Sequence, residues 1–244
     1  VYLAHRENGI TVISTTNNTE VATIPSAVCG TWPTEMVFSP DGSKMWVSNH
    51  YNKTVTVLDM TNPTNPSKIT SVGTSDEAQG ITIRPDGNYV YVIARYNGSV
   101  DVISTTAYTK IATISIGTGG IDFSGSRGIV VSPNGQYVYA AHSYDKTVSI
   151  IRTSDNTKID TFNVGADIWD MRMTSDGAYI LATGIGTRNI IAIKTADKTV
   201  RTLHQGTTSN TFLGIDLSSD GNFMLITDAN QKKVLLFSNT LKGY

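Results

Sequence analysis

TEMVFSPDGSKMWVSNHYNKTVTVLDMTNPTNPSKITSVG, Thr34 to Gly73, is one full copy of a unit that recurs toward both ends of the chain. Thr34 to Ser39 reads as a short strand A, SPDG as a tight reversal, and Lys44 to Ser48 as strand B. HYNKT turns the chain again, TVTVLD alternates from Thr54 to Asp59 as strand C, and TNPTNP leads into strand D, Ser67 to Val72. Short alternating runs bounded by Gly, Pro, Asn and Asp are the pattern of half-buried antiparallel strands joined by hairpins. The unit is therefore expected to be a four-stranded up-and-down sheet.

The reversal between A and B marks each copy: Pro40-Asp41-Gly42, Pro85-Asp86-Gly87, Pro133-Asn134-Gly135, Ser175-Asp176-Gly177 and Ser219-Asp220-Gly221. Subtracting successive glycine positions gives 45, 48, 42 and 44 residues. That period with four strands per copy is the sequence signature of a propeller blade. Pro presets the backbone angle of such a turn and Gly accepts a positive one, so these acids are read as turn residues rather than ligands.

VYVIARYNGSVDVISTTAYTKIATISIG, Val90 to Gly117, and VYAAHSYDKTVSIIRTSDNTKIDTFNVG, Val138 to Gly165, carry a family likeness. Strand B, an Asn- or Asp-containing turn, strand C and then TKIxT followed by Gly resemble the YVTN type of β-propeller repeat. The resemblance extends over essentially the whole chain. It implies an all-β propeller of four-stranded antiparallel blades, six- or seven-bladed when complete. It also implies kinship with archaeal and bacterial cell-surface and surface-layer propellers, and more distantly with lactonase-like ones. One fold hosts many unrelated sites, so function has to be argued from residues.

The bulk properties narrow the classes. The 244 residues carry a formal charge of −1, which gives no electrostatic reason to expect nucleic acid. A chain of this length buries roughly 70–75% of its unfolded surface and needs no disulfide or metal staple; Cys29 is its single cysteine. No apolar run approaches the ~20 residues of a spanning helix, so no direct membrane insertion is expected. Charged residues make up 16% of the chain, below the usual ~25%, and Thr, Ser and Asn fill the turns. Three N-x-S/T sequons, at Asn17, Asn52 and Asn97, fall in expected hairpin tips, where a glycan would reach solvent in an extracellular or cell-surface protein.

The strand count is uneven at the two ends. Val1 to Ile24 supplies strands B, C and D, while Phe212 to Phe237 supplies A, B and C, with Asn239 to Tyr244 too short for a clear D. This gives five A, six B, six C and five D strands, and predicts a single propeller domain over 1–244 that is a segment of a longer chain.

Up-and-down topology places the B-to-C and D-to-A turns on one face. From the first come His5 and Arg6, His50 and Tyr51, Arg95 and Tyr96, His142 and Tyr144; from the second Trp32, Glu77, Arg127, Asp167, Trp169 and Asn210. His5, His50, Arg95, His142, Trp32, Trp169 and Asn210 are the candidate binding residues, for a protein or glycan partner. Aromatic faces with nearby amides suit sugars, and a cationic rim suits an acidic loop. No HxH or HExxH spacing points to a metal, and no phosphate, dinucleotide or haem motif implies a cofactor. The SGSRG stretch at Ser124 to Gly128 is a loop before a strand, without the helix a phosphate site needs. There is no GxSxG nucleophile motif. Two functions remain open: a non-catalytic surface module, or a lactonase-like or lyase-type enzyme using Glu77, Asp167 and a histidine as acid and base at the channel mouth.

Overall fold

A computed structural model describes residues 1–117, 127–218 and 220–238. The chain forms an all-β propeller fold from two compact units, Val1–Ile121 and Asp122–Tyr244. Part of the SGSRG loop, Ser219 of the fifth turn and residues 239–244 lie outside the described residues.

The first unit contains three sheets in sequence order. They are β1 (Tyr2–His5), β2 (Gly9–Ile13) and β3 (Glu20–Ile24); then β4 (Pro33–Phe38), β5 (Lys44–Asn49), β6 (Thr54–Asp59) and β7 (Ser67–Gly73); then β8 (Ala78–Ile83), β9 (Tyr89–Ala94), β10 (Ser99–Ser104) and β11 (Thr109–Ser115). One helical turn, α1 (Ser26–Cys29), follows β3; the sequence reading assigned it no element. The second unit repeats the plan with β12 (Ile129–Val131), β13 (Tyr137–His142), β14 (Thr147–Arg152) and β15 (Thr157–Asn163). β16 (Ile168–Met173), β17 (Tyr179–Gly184), β18 (Asn189–Lys194) and β19 (Val200–Gln205) follow, and β20 (Phe212–Leu217), β21 (Phe223–Asp228) and β22 (Lys233–Ser238) complete it. All pairings are antiparallel between sequence neighbours, and the described strands match the expected five A, six B, six C and five D.

Burial explains the composition of each strand. In the second sheet strands B and C are buried on both faces because the first and third sheets pack on either side; the period of two sends alternate side chains into different cores. On β5, Met45 and Val47 join Ile10 and Ile24 of the first sheet and Cys29 of α1, whereas Trp46 joins Ile81, Val90 and Val92 of the third. In the second unit Met171, Ile180 and Ile191 pack against Val130, Val148 and Ala141, and Phe212 and Ile226 against Leu181 and Ile190. Strand D is mostly exposed, and in four sheets it carries a bulge at the same place. The unpaired bulge residues, Val21, Ile69, Ile111 and Ile159, are 50%, 40%, 48% and 44% exposed.

The turns repeat with equal regularity. Gly42, Gly87, Gly135, Gly177 and Gly221 have φ of 69°, 74°, 70°, 72° and 66°, and each donates its N–H to the carbonyl three residues earlier at 2.8 Å. These are equivalent tight A-to-B hairpins, as the spacing predicted. The Asp or Asn of each turn accepts the backbone N–H two residues on, as Asp41 does from Ser43 at 3.0 Å and Asn134 from Gln136 at 3.0 Å.

Neighbouring sheets are also tied by a recurring polar pair. Ser48 Oγ donates to Gln79 O at 2.6 Å while Glu35 Oε2 accepts from Ile81 N at 3.1 Å. In the second unit Thr183 Oγ1 donates to Leu213 O at 2.5 Å and Asp170 Oδ2 accepts from Ile215 N at 3.2 Å. Each acid reaches toward a neighbouring A strand that has Gly at the position matching its own, Gly80 or Gly214. Burial pushes the Asp170 carboxyl above its ordinary range, against the pull of Arg172.

Candidate functional site

The expected convergence of B-to-C and D-to-A turns is present in both units. His50 N donates to Trp32 O at 3.0 Å and Arg95 N to Glu77 O at 3.0 Å, so strand pairing itself sets these side chains at the same end of neighbouring sheets. In the first unit they form one continuous cluster. Arg6 lies over the Trp32 ring at 5.4 Å, His50 stacks on that ring at 5.4 Å, and Tyr51 meets its edge at 5.0 Å. His50 Nε2 is 3.1 Å from Glu77 Oε2, and its Nδ1 is 2.6 Å from Gln79 Nε2. Arg95 reaches the same Glu77 oxygen at 3.6 Å and lies over Tyr96 at 4.7 Å.

This geometry selects one histidine tautomer. The Gln79 amide N–H donates to Nδ1, so the proton sits on Nε2, which faces the buried Glu77 Oε2 at 3.1 Å without the alignment of a hydrogen bond. Burial raises the Glu77 carboxyl above its ordinary value, with Arg95 opposing the shift. Trp32 adds a backbone signal, because its φ of 57° is left-handed, a conformation uncommon for so bulky a side chain. The loop presenting Glu77 is gripped from several sides. Asp101, fully buried, accepts from Ser75 Oγ at 2.7 Å; Lys53 pairs with Asp76 at 2.8 Å; and Asn97 donates to Ser75 O at 3.0 Å.

The other candidates take different places. His5 is exposed at the end of β1, and it is its neighbour Arg6 that reaches Trp32. His142, in the second unit, is 5% exposed and turned onto Asp145 in its own turn at 3.1 Å. Trp169 is half-buried with Arg127 over its ring at 5.3 Å. Asn210 donates to Asp228 at 2.6 Å and accepts from Thr207 N at 2.8 Å, which makes it a brace of its loop. Asp167 accepts from the N–H groups of Gly186 and Thr187 at 2.6 and 2.9 Å and so holds the next turn. Cys29 is buried and its thiol pushed up to about 11, which removes it as a nucleophile near neutral pH.

Among the described residues no group of three or more His, Cys, Asp or Glu is placed to hold a metal ion. Within the same residues no helix is long and apolar enough to cross a membrane. Asn17, Asn52 and Asn97 are all exposed. Sequence reading did not pick out Gln79, whose polar side chain in a buried A strand was its only signal.

No curated protein sequence matches the chain. Among solved structures, the hydrazine synthase of Kuenenia stuttgartiensis superposes with a TM-score of 0.77 at 21% identity, covering 95% of this chain and 70% of that one. At that identity the likeness concerns the fold. The sequence model of the family described as "Lactonase, 7-bladed beta-propeller" matches residues 19–163, more than half of the chain and every residue of the Trp32–His50–Glu77–Arg95 set. On the strength of that match, the chain belongs to the lactonase family of 7-bladed β-propellers.

Proposed function

We propose that the chain is a non-catalytic recognition module of a secreted or cell-surface protein. Its Arg6–Trp32–His50–Glu77–Arg95 cluster binds an acidic group on a protein or glycan partner. The observation that carries this reading is the state of His50: Nδ1 accepts from Gln79, which takes its basic lone pair and leaves the ring proton on Nε2, 3.1 Å from Glu77 Oε2. A histidine so occupied orders the cluster and is not poised to take a proton from water. The group left presented is a cation: Arg6 is exposed over Trp32 and makes no ion pair among the described residues. A guanidinium held over an indole face is pre-ordered for a carboxylate. The surface location rests on the polar turns and the three exposed sequons.

Calorimetric titration with poly-L-glutamate and with a hyaluronan oligosaccharide tests the binding. The expected result is saturable, salt-sensitive binding to at least one of them. Arg6→Ala should weaken it about fivefold or more, and Trp32→Ala should cost more than ~1 kcal/mol. Binding that is absent for both probes, or unchanged in Arg6→Ala, overturns the proposal.

A second reading is supported by the family itself and by the raised Glu77 carboxyl. In it Glu77 acts as base toward water on a lactone carbonyl and Arg95 steadies the oxyanion. Turnover separates the two readings.

A further inference from the structure

The opposite ends of the sheets, where the A-to-B and C-to-D turns lie, hold a feature outside this cluster. A cavity of about 460 Å³ opens between the second and third sheets of the first unit. It lies within the ~300–1,000 Å³ range of small-molecule sites. Asp41, Lys44 and Trp46 line it from one sheet, and Asp86, Thr106 and Tyr108 from the next.

Tyr108 is the informative residue. The C-to-D turns place one residue in the left-handed region just before a threonine: Asn18, Tyr108, Asn156 and Lys198, with φ of 56°, 53°, 54° and 63°. Asn tolerates that conformation, whereas an aromatic residue adopts it at a cost of about 1–2 kcal/mol. In this one turn the cost is met for a ring that lines the cavity. The ring lies 5.9 Å from Trp46, which is fully buried and whose Nε1–H has no acceptor among the described residues.

The polar groups define the ligand. Asp41 Oδ1 accepts three hydrogen bonds from Ser39 and Ser43, while Oδ2 receives only the Ser43 hydroxyl and keeps capacity. Among the described residues the Lys44 ammonium and the Tyr108 hydroxyl make no side-chain hydrogen bond. An apolar ligand would strand these groups, and an anion would face two carboxylates. A neutral molecule carrying many hydroxyls satisfies acceptors and donors together and lays its C–H face on the tyrosine ring.

We propose that this cavity is a carbohydrate site that takes one neutral saccharide unit, with Tyr108 as the stacking face and Asp41 and Lys44 as hydrogen-bonding partners of its hydroxyls. The site is separate from the Trp32 cluster and does not depend on it.

The test follows the Trp46 indole N–H in ¹H–¹⁵N spectra of the full chain. Its resonance, identified with Trp46→Phe, is watched during titration with glucose, galactose, mannose, N-acetylglucosamine, cellobiose and chitobiose. At least one sugar should shift that resonance saturably, with Trp32→Ala leaving the affinity unchanged. Tyr108→Asn installs the residue that the matching turns carry at Asn18 and Asn156, so it should fold normally while weakening the sugar at least about tenfold. A Trp46 resonance that stays fixed across the panel overturns the proposal. So does undiminished affinity in Tyr108→Asn. A loss of stability in Tyr108→Asn without any sugar-induced shift in the parent protein would show the ring to be there for packing alone.

Discussion

Asp41 shows how much of this chain's chemistry is spent on the backbone. Its carboxylate accepts from the Ser39 hydroxyl at 2.6 Å and from Ser43 N at 3.0 Å, and these bonds, the Ser39 one foremost, hold its pKa down to about 2. A carboxyl depressed in the folded state stabilises the fold above its unfolded pKa, and that contribution disappears as pH falls through the folded value. For Asp41 the window runs from 3.8 down to about 2. Asn134 fills the same turn position in the fourth sheet without a charge, so Asp41→Asn should fold and should flatten this part of the acid profile. Asp155, also held at about 2 by Arg152, retains its share in the variant. Urea midpoints measured from pH 5 to pH 2 check the point; superimposable profiles for the two proteins would contradict it. The turn role of Asp41 was legible because Pro-Asp-Gly has one dominant physical meaning. The left-handed backbone of Trp32 was not, since TWP specifies no turn that demands it, and its partners Arg6 and His50 lie 26 and 18 residues away in sequence.

At the scale of elements, alternation and turn residues marked nearly every strand, because a period of two bounded by Gly, Asn and Pro has few competing readings. The helical turn at Ser26–Cys29 escaped because four residues carry no helical period. Bulges escaped too: they arise from the pairing of two strands, which neither strand announces alone. Once seen, they explain the repeated Lys-Ile of strand D. Lys68, Lys110 and Lys158 each precede the exposed bulge isoleucine, on a strand that is the last of its sheet. Charge and bulge together discourage pairing with another sheet edge. Lys158→Val should therefore leave thermal stability nearly unchanged and promote self-association, visible as a rise in light scattering with concentration. A variant as monodisperse as the parent would remove this explanation. Topology alone placed Trp32, His50, Glu77 and Arg95 together, whereas the closed His50–Glu77–Arg95 contacts needed coordinates, since strand order sets a shared end and says nothing of side-chain reach.

For the molecule as a whole, the propeller repeat supplies rigid sheets whose turns present chemistry at both ends: the Arg6–Trp32–His50–Glu77–Arg95 cluster at one and the Tyr108 cavity at the other. Family membership brings with it the expectation of lactone chemistry, and the cluster contains a carboxyl raised by burial beside an arginine. The proposal of recognition without turnover rests on a histidine whose Nδ1 lone pair is taken by Gln79. Initial-rate hydrolysis of a panel of γ- and δ-lactones, followed by pH-stat with the parent protein and Glu77→Gln side by side, tests that claim most directly. Recognition without turnover predicts rates indistinguishable from buffer for both proteins. Saturable turnover by the parent that vanishes in a Glu77→Gln variant of unchanged melting temperature would contradict it.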